Sequence, residues 1–296
     1  MIEQALYQHL QEQDSLRPYL AEYAGKMAIF NQDVPSDKDP DWGEGPQYGR
    51  VVFTVDLQGD PERTMGGRLT LDILCKEGEQ FPEEIEPIIR PLIHGYFFCK
   101  KKFVVSAQWK NTNPFTEPTN KLNGCTLFFD LLAFPVITTS TPDLIARFNA
   151  WTAELPNLHV INFDALPTAA WKPTGKEVAV YWRVVRESPA GWIPNTYQTI
   201  WNTAIVRGHI FSETPAEAAN VARDLMIRLY AAKRLLKPGE APIMVNRKNT
   251  TDNGADPLRT GQLTVEATYG VIVAFENEGT IGKVDYEGDG IYQSLN

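Results

Sequence analysis

Apolar positions recur at helical spacing at the start of the chain, where Ile2, Ala5, Leu6 and Leu10 share one face of residues 1–13. A short strand is predicted over 27–30, then a polar, Pro- and Gly-rich loop over 33–49. Residues 50–57 (RVVFTVDL) are rich in β-branched side chains and read as a strand. Gly59-Asp60-Pro61 and Gly66-Gly67 read as turns. In 68–74, Leu69, Leu71 and Ile73 alternate with Arg68, Thr70 and Asp72, the pattern of a half-buried strand. Ile85, Ile88, Ile89 and Leu92 predict a helix over 82–93, kinked by Pro87 and Pro91. A strand over 102–109, a polar loop over 110–123 and a strand over 124–134 (GCTLFFDLLAF) complete this half.

The order then recurs. Leu144, Ile145 and Phe148 mark a helix over 142–151, with Thr141 or Asp143 as its cap. A short strand (159–163), a Pro-bearing loop (164–175), strands at 177–186 and 196–211, and a long helix over 214–236 follow. Thr214-Pro215-Ala216-Glu217 has capping-box spacing. A strand (242–247), a polar loop (248–260) and a strand (261–275) end the sequence of elements. Lys110-Asn111-Thr112 and Lys248-Asn249-Thr250 open the equivalent loops, and Trp171 and Pro173 stand where the first loop has Trp42 and Pro46. The offset from Lys110 to Lys248 is 138 and from Leu6 to Ile145 it is 139, the trace a tandem duplication leaves. The expected fold is α+β: two similar domains, 1–138 and 139–296, each a mostly antiparallel sheet packed with helices, with 135–141 as linker.

Length agrees with two cores, because single cores stop growing at roughly 250–300 residues and this chain has 296. The net charge is −9, and no basic run exceeds Lys100-Lys101-Lys102, which argues against a phosphate-gripping surface. A negative surface lets DNA slide past without sticking. Cys75, Cys99 and Cys125 lack metal or redox spacing, and the first and last of them lie in apolar runs, as buried thiols of a reducing compartment do. The N-terminus has no signal-peptide pattern, and no apolar run is long enough to span a bilayer.

The chain shows no catalytic kit. His9, His94, His159 and His209 belong to no metal-ligand or triad spacing; His94, ending a helix, suits a cation opposite the helix dipole. GxSxG, P-loop and dinucleotide patterns are missing. Asp37, Asp39 and Asp41 begin like a calcium loop, but Trp42 stands where that loop needs glycine and Tyr48 where it needs glutamate. An enzyme using these carboxylates with a divalent metal is the alternative from a different class. The acidic residues 285–290 read as a solvated tail. Trp42, Trp171 and Trp192 fall in loops, where aromatics either serve protein contacts or pack locally under their own loop.

The opening MIEQALYQHL, the segment IFNQDVPSDKDPDWGEGPQYGRVVFTVDL with its Asp33-Val34-Pro35 loop, the strand GRLTLDIL and the hairpin region KNTNPFTEPTNKLNGCTLFFDLLAF resemble the tail terminator (tail completion, head–tail joining) proteins of tailed bacteriophages. The second half is similar in pattern only. The resemblance implies a structural virion protein without catalytic residues or cofactors. It implies a ring that caps the tail tube, stops its growth and meets the neck or connector, with DNA passing through the lumen. It implies residence in the tail or neck after synthesis in the host cytoplasm, with no membrane partner. Family members usually carry one such domain, so two per chain imply a ring of three or of six chains. The candidate interface positions are Asp37, Asp39, Asp41, Trp42, Lys110, Asn111, Asn113, Trp171, Lys248 and Asn249. Another neck, tail-tube or baseplate role is the alternative within this class.

Overall fold

The computed structural model describes residues 2–58, 66–100, 103–135, 142–191, 193, 199–236 and 241–272, and the backbone of the strands 281–287 and 290–295. Helix α1 (Ile2–Gln11) turns Ile2, Ala5, Leu6 and Leu10 inward, as its spacing requires. Strands β1 (Ile29–Asn31), β2 (Arg50–Gln58) and β3 (Gly66–Lys76) follow, then α2 (Pro82–Ile89), which Pro82 opens at its first turn. Strands β4 (Phe97–Lys100), β5 (Phe103–Glu117) and β6 (Leu122–Phe134) end the first half. The second half runs α3 (Leu144–Ala153), β7 (Leu158–Val160), β8 (Ala170–Trp171), β9 (Val178–Pro189) and β10 (Thr199–Phe211). It continues with α4 (Pro215–Ala232), β11 (Arg234–Leu235), β12 (Ile243–Val245), β13 (Thr250–Thr251) and β14 (Leu263–Ile272). Strands β15 (Ile281–Glu287) and β16 (Gly290–Leu295) pair with each other. The protein is α+β, with mostly antiparallel sheets and four helices among the described residues.

The two large sheets have one topology. In the first, the order β4-β5-β6-β3-β2-β1 is antiparallel throughout except for the parallel pair β1–β2. In the second, β11-β12-β14-β10-β9-β7 repeats that order, again with one parallel pair, β7–β9. Each half places a helix before its first strand and another between its third strand and its edge hairpin. Register agrees as well: Val105 faces Ala133 in the first half, and Val245 faces Ala267 in the second. The Lys-Asn-Thr echoes both lie beside the last strand of their large sheet, on β5 and at β13.

Each sheet has its own core. Phe53, Leu69, Leu71, Ile73, Leu127 and Phe129 pack beneath α1 and α2, and Trp182, Val206 and Val265 pack with Phe148 of α3 and Leu225 of α4. Trp182 lies flat across Gly208, its cross-strand partner, where a Cβ would come within 2.7 Å of the indole. A third apolar cluster joins the halves: Phe97, Val104 and Phe134 meet Ile161, Trp171, Ala179, Tyr181 and Phe211. It is stitched by β8, which leaves the second half's β7–β9 loop and pairs antiparallel with the edge strand β4. The Cys99 amide donates to the Ala169 carbonyl at 2.8 Å, and the Tyr181 hydroxyl donates to the Pro135 carbonyl at 3.0 Å. The linker 135–141 falls largely outside the described residues.

Several elements differ from the sequence reading. Residues 110–123 are not a loop: β5 runs on to Glu117 and returns through a short turn into β6. A bulge at Lys110, between the pairs Trp109–Phe129 and Asn111–Phe128, lets the polar stretch stay in register. The outer part of this hairpin exposes one edge, so polar residues suit it as well as they suit a loop. Gly66-Gly67 is strand, not turn; a Cβ on Gly67 would lie 2.1 Å from the Asp56 carbonyl of β2. The acidic stretch over 285–290 lies largely in a β-hairpin, in which Asp285 faces Tyr292. Gly59-Asp60-Pro61 and Trp192 lie outside the described residues.

Candidate interaction surfaces

The 33–49 loop is built around Asp37. Its carboxylate accepts from the buried Arg50 guanidinium and from the Tyr48 hydroxyl at 2.7 Å, and its carbonyl accepts from Gln47 at 2.6 Å. Burial pushes this carboxyl up, but the bonds from Arg50 and Tyr48 outweigh it and hold the group below the usual aspartate range. Asp39 caps the turn Pro40–Trp42 by accepting from the Asp41 amide, and the Asp41 carbonyl accepts from the Ala24 amide. The carboxylates of Asp37 and Asp39 therefore serve separate partners, whereas Asp41 is held through its backbone. Trp42 is not an exposed contact residue: it is 3% exposed, packs with Ala21, Ala28, Tyr23 and Phe30, and donates to the Ser36 carbonyl. The carboxylates of Asp33, Asp41 and Glu44 face solvent with no ion pair among the described residues.

Trp171 is likewise buried, at 6% exposure, in the junction between the halves. Its ring centroid lies 6.1 Å from that of Phe97 and 5.3 Å from that of His159. Sequence logic places it in a polar loop; β8 is two residues long, too short for any alternation to betray.

Lys110 lies 3.7 Å from Asp130, and the Asn111 amide donates to Asn113, so these residues stabilise the bulged arm while remaining accessible. Nearby, Arg90 stacks over Trp109 at 4.8 Å and pairs with Glu86 at 3.2 Å. His94 is not a helix-end cation. Its Nδ1 accepts from the Trp109 amide, and burial, Lys172 and Arg90 all push its pKa down. His9 is buried, donates through Nε2 to the Leu92 carbonyl, and is also pushed down by burial.

Lys248 is exposed, and Asn249 accepts from the Glu266 amide at 3.2 Å. Lys248 belongs to a cationic pocket of about 740 Å³ whose lining includes Tyr230, Lys233, Arg234 and Arg247. None of the four cations has an ion pair among the described residues. No basic run announces this pocket. Lys233-Arg234 and Arg247-Lys248 are brought together because β11 pairs antiparallel with β12. Two basic dipeptides bracketing a hairpin were the available signal.

Cys75 and Cys125 are buried on adjacent strands, and burial pushes their thiols up to about 11 and about 12. Among the described residues no helix is long and apolar enough to cross a membrane, and no group of three His, Cys, Asp or Glu residues could hold a metal ion. No protein-family model, curated protein or solved structure matches the chain.

Proposed function

We propose that this protein is a structural, non-enzymatic component of a phage tail: a terminator that caps the tail tube, stops its growth and offers a surface to the neck or connector. The observation that carries the reading is the repeated topology together with the β8–β4 stitch. The second half's loop fits the sheet edge of the first, and a repeated module with such a joint is a form suited to rings and stacks. The two tryptophan loops serve packing, and the hydrogen bonds of the Asp37 and Asp39 carboxylates give each a structural task. The resemblance of the first half to tail terminators supplies the particular assignment. In it, chains associate into a ring of three or six on the tube end, with DNA passing through the lumen. The protein is made in the host cytoplasm and ends in the virion neck.

Negative-stain electron microscopy of particles assembled without this protein tests the reading. Overlong or headless tails support it. Tails of normal length with another neck or baseplate defect move the protein to a different structural station. Particles of normal form and infectivity overturn the structural reading.

A further inference from the structure

Within the chain, the second module docks its β7–β9 loop on the β4 edge of the first. The topological repeat assigns each half of that joint a counterpart elsewhere. The counterpart of the donating loop is 32–49, between β1 and β2. The counterpart of the accepting edge is set by register. Phe98 faces Val105 and Val105 faces Ala133; the Lys233 carbonyl accepts from the Val245 amide and Val245 faces Ala267. Phe98 therefore answers to Lys233, the left-handed residue that ends α4 immediately before β11. Among the described residues β11 has no strand on its outer side.

The chemistry of the two joints differs in a complementary way. The internal edge offers the Phe97 side chain and the backbone of Phe97 and Phe98, and it receives Trp171. The outer edge offers Lys233 and Arg234, with Arg247, Lys248 and Tyr230 beside them. The first module's loop keeps Trp42 in its own cluster and presents Asp33, Asp41 and Glu44 outward. An acidic loop and a cationic edge thus lie at the two ends of one chain, in the positions that a dry aromatic joint occupies in its middle.

We propose that copies of this chain associate head to tail, the 32–49 loop of one copy seated on the β11 edge and cationic pocket of the next. This names the contact surface for the self-association proposed above and rests on that reading for its biological setting. The contact is heterologous, so repetition gives a ring if the rotation closes and a filament if it does not. Because the joint is ionic, ionic strength controls it, whereas the internal joint is apolar and insensitive to salt.

The test uses two full-length variants: Lys233→Glu/Arg234→Glu/Arg247→Glu, and Asp33→Lys/Asp41→Lys/Glu44→Lys. Sedimentation velocity at low salt reads association, and circular dichroism checks folding. The expected result is that the unaltered protein associates, each variant alone weakens association by more than roughly 100-fold, and an equimolar mixture restores association in alternating pairs or even-numbered assemblies, because the first variant's acidic loop meets the second's cationic edge and the second's basic loop meets the first's acidic edge. Variants that associate as well as the parent, or a mixture that stays apart, overturn the proposed contact while leaving the terminator reading to the microscopy. A parent protein that remains monomeric at every concentration and salt overturns it too. Association of the parent that strengthens with salt does the same. Retention of an unrelated polyanion, heparin, by the cationic pocket with no parent self-association assigns that surface to another partner.

Discussion

Replacing Trp171 with alanine tests whether the junction is a structural joint. The indole is 6% exposed and packs on Phe97 and His159 inside a cluster fed by both halves. A buried tryptophan removes about 150–250 Å² from water. At about 25 cal/mol per Å² that is worth about 4–6 kcal/mol, an upper figure because the unfolded chain already hides some of this surface. Core Trp→Ala substitutions cost about 3–5 kcal/mol, so a loss of about 3–4 kcal/mol is expected. Where the loss is felt is the sharper point. Trp42→Ala, with a 3% exposed ring in a cluster made only of first-half residues, weakens the first half alone. Trp171→Ala unfastens β8 from β4 and weakens the coupling of both. Urea unfolding followed by circular dichroism gives the total. Hydrogen exchange at the Cys99 amide, which donates to Ala169, reads the stitch directly. A loss below about 1 kcal/mol, or an unchanged Cys99 exchange rate, refutes the joint.

Three further outcomes are expected. At pH 8 in the folded protein a thiol reagent modifies Cys99 first and leaves Cys75 and Cys125 untouched, since burial raises the latter two to about 11 and about 12 and leaves almost no thiolate; mass mapping showing early Cys75 labelling would contradict this. His9 and His94 have folded pKa values below the ordinary 6.5, so the unfolded chain binds more protons just below that value. Their stabilising contribution is complete above pH 6.5 and is lost as pH falls towards the folded values; melting temperatures between pH 7.5 and 5.5 check the sign, and His9→Gln should flatten the curve. Gly208→Ala forces Trp182 off its cross-strand seat and costs about 1–3 kcal/mol by urea unfolding, while a neutral result would mean the indole has another low-energy position.

The sequence made the repeated order of elements legible because the cores are regular. Leu69, Leu71 and Ile73 alternate on β3, and α1 carries a clean apolar stripe. The long helix starts where its capping box says it should, at Thr214, but it ends at Ala232 rather than 236 because Lys233 turns left-handed (φ 59°) to begin the edge hairpin. What remained hidden depended on partners distant in sequence. The polar residues of 110–117 are strand because β6 supplies a ladder, and polarity alone cannot distinguish an exposed edge from a loop. Trp42 and Trp171 sit in loops by composition, yet one packs beneath its own loop and the other against the opposite module. The cationic pocket exists only after β11 and β12 pair.

The β8 stitch also sets an order of events during synthesis. The first sheet's β4 edge is made before residue 101, and β6 ends at Phe134, but the strand that covers that edge ends at Trp171. At roughly 5–20 residues per second the ribosome needs seconds to deliver it. Through that interval Phe97 and Phe134 wait without Trp171. A nascent first module is therefore sticky at one edge until its sibling emerges, and tandem fusion in one polypeptide guarantees that the right strand is the nearest one when it does.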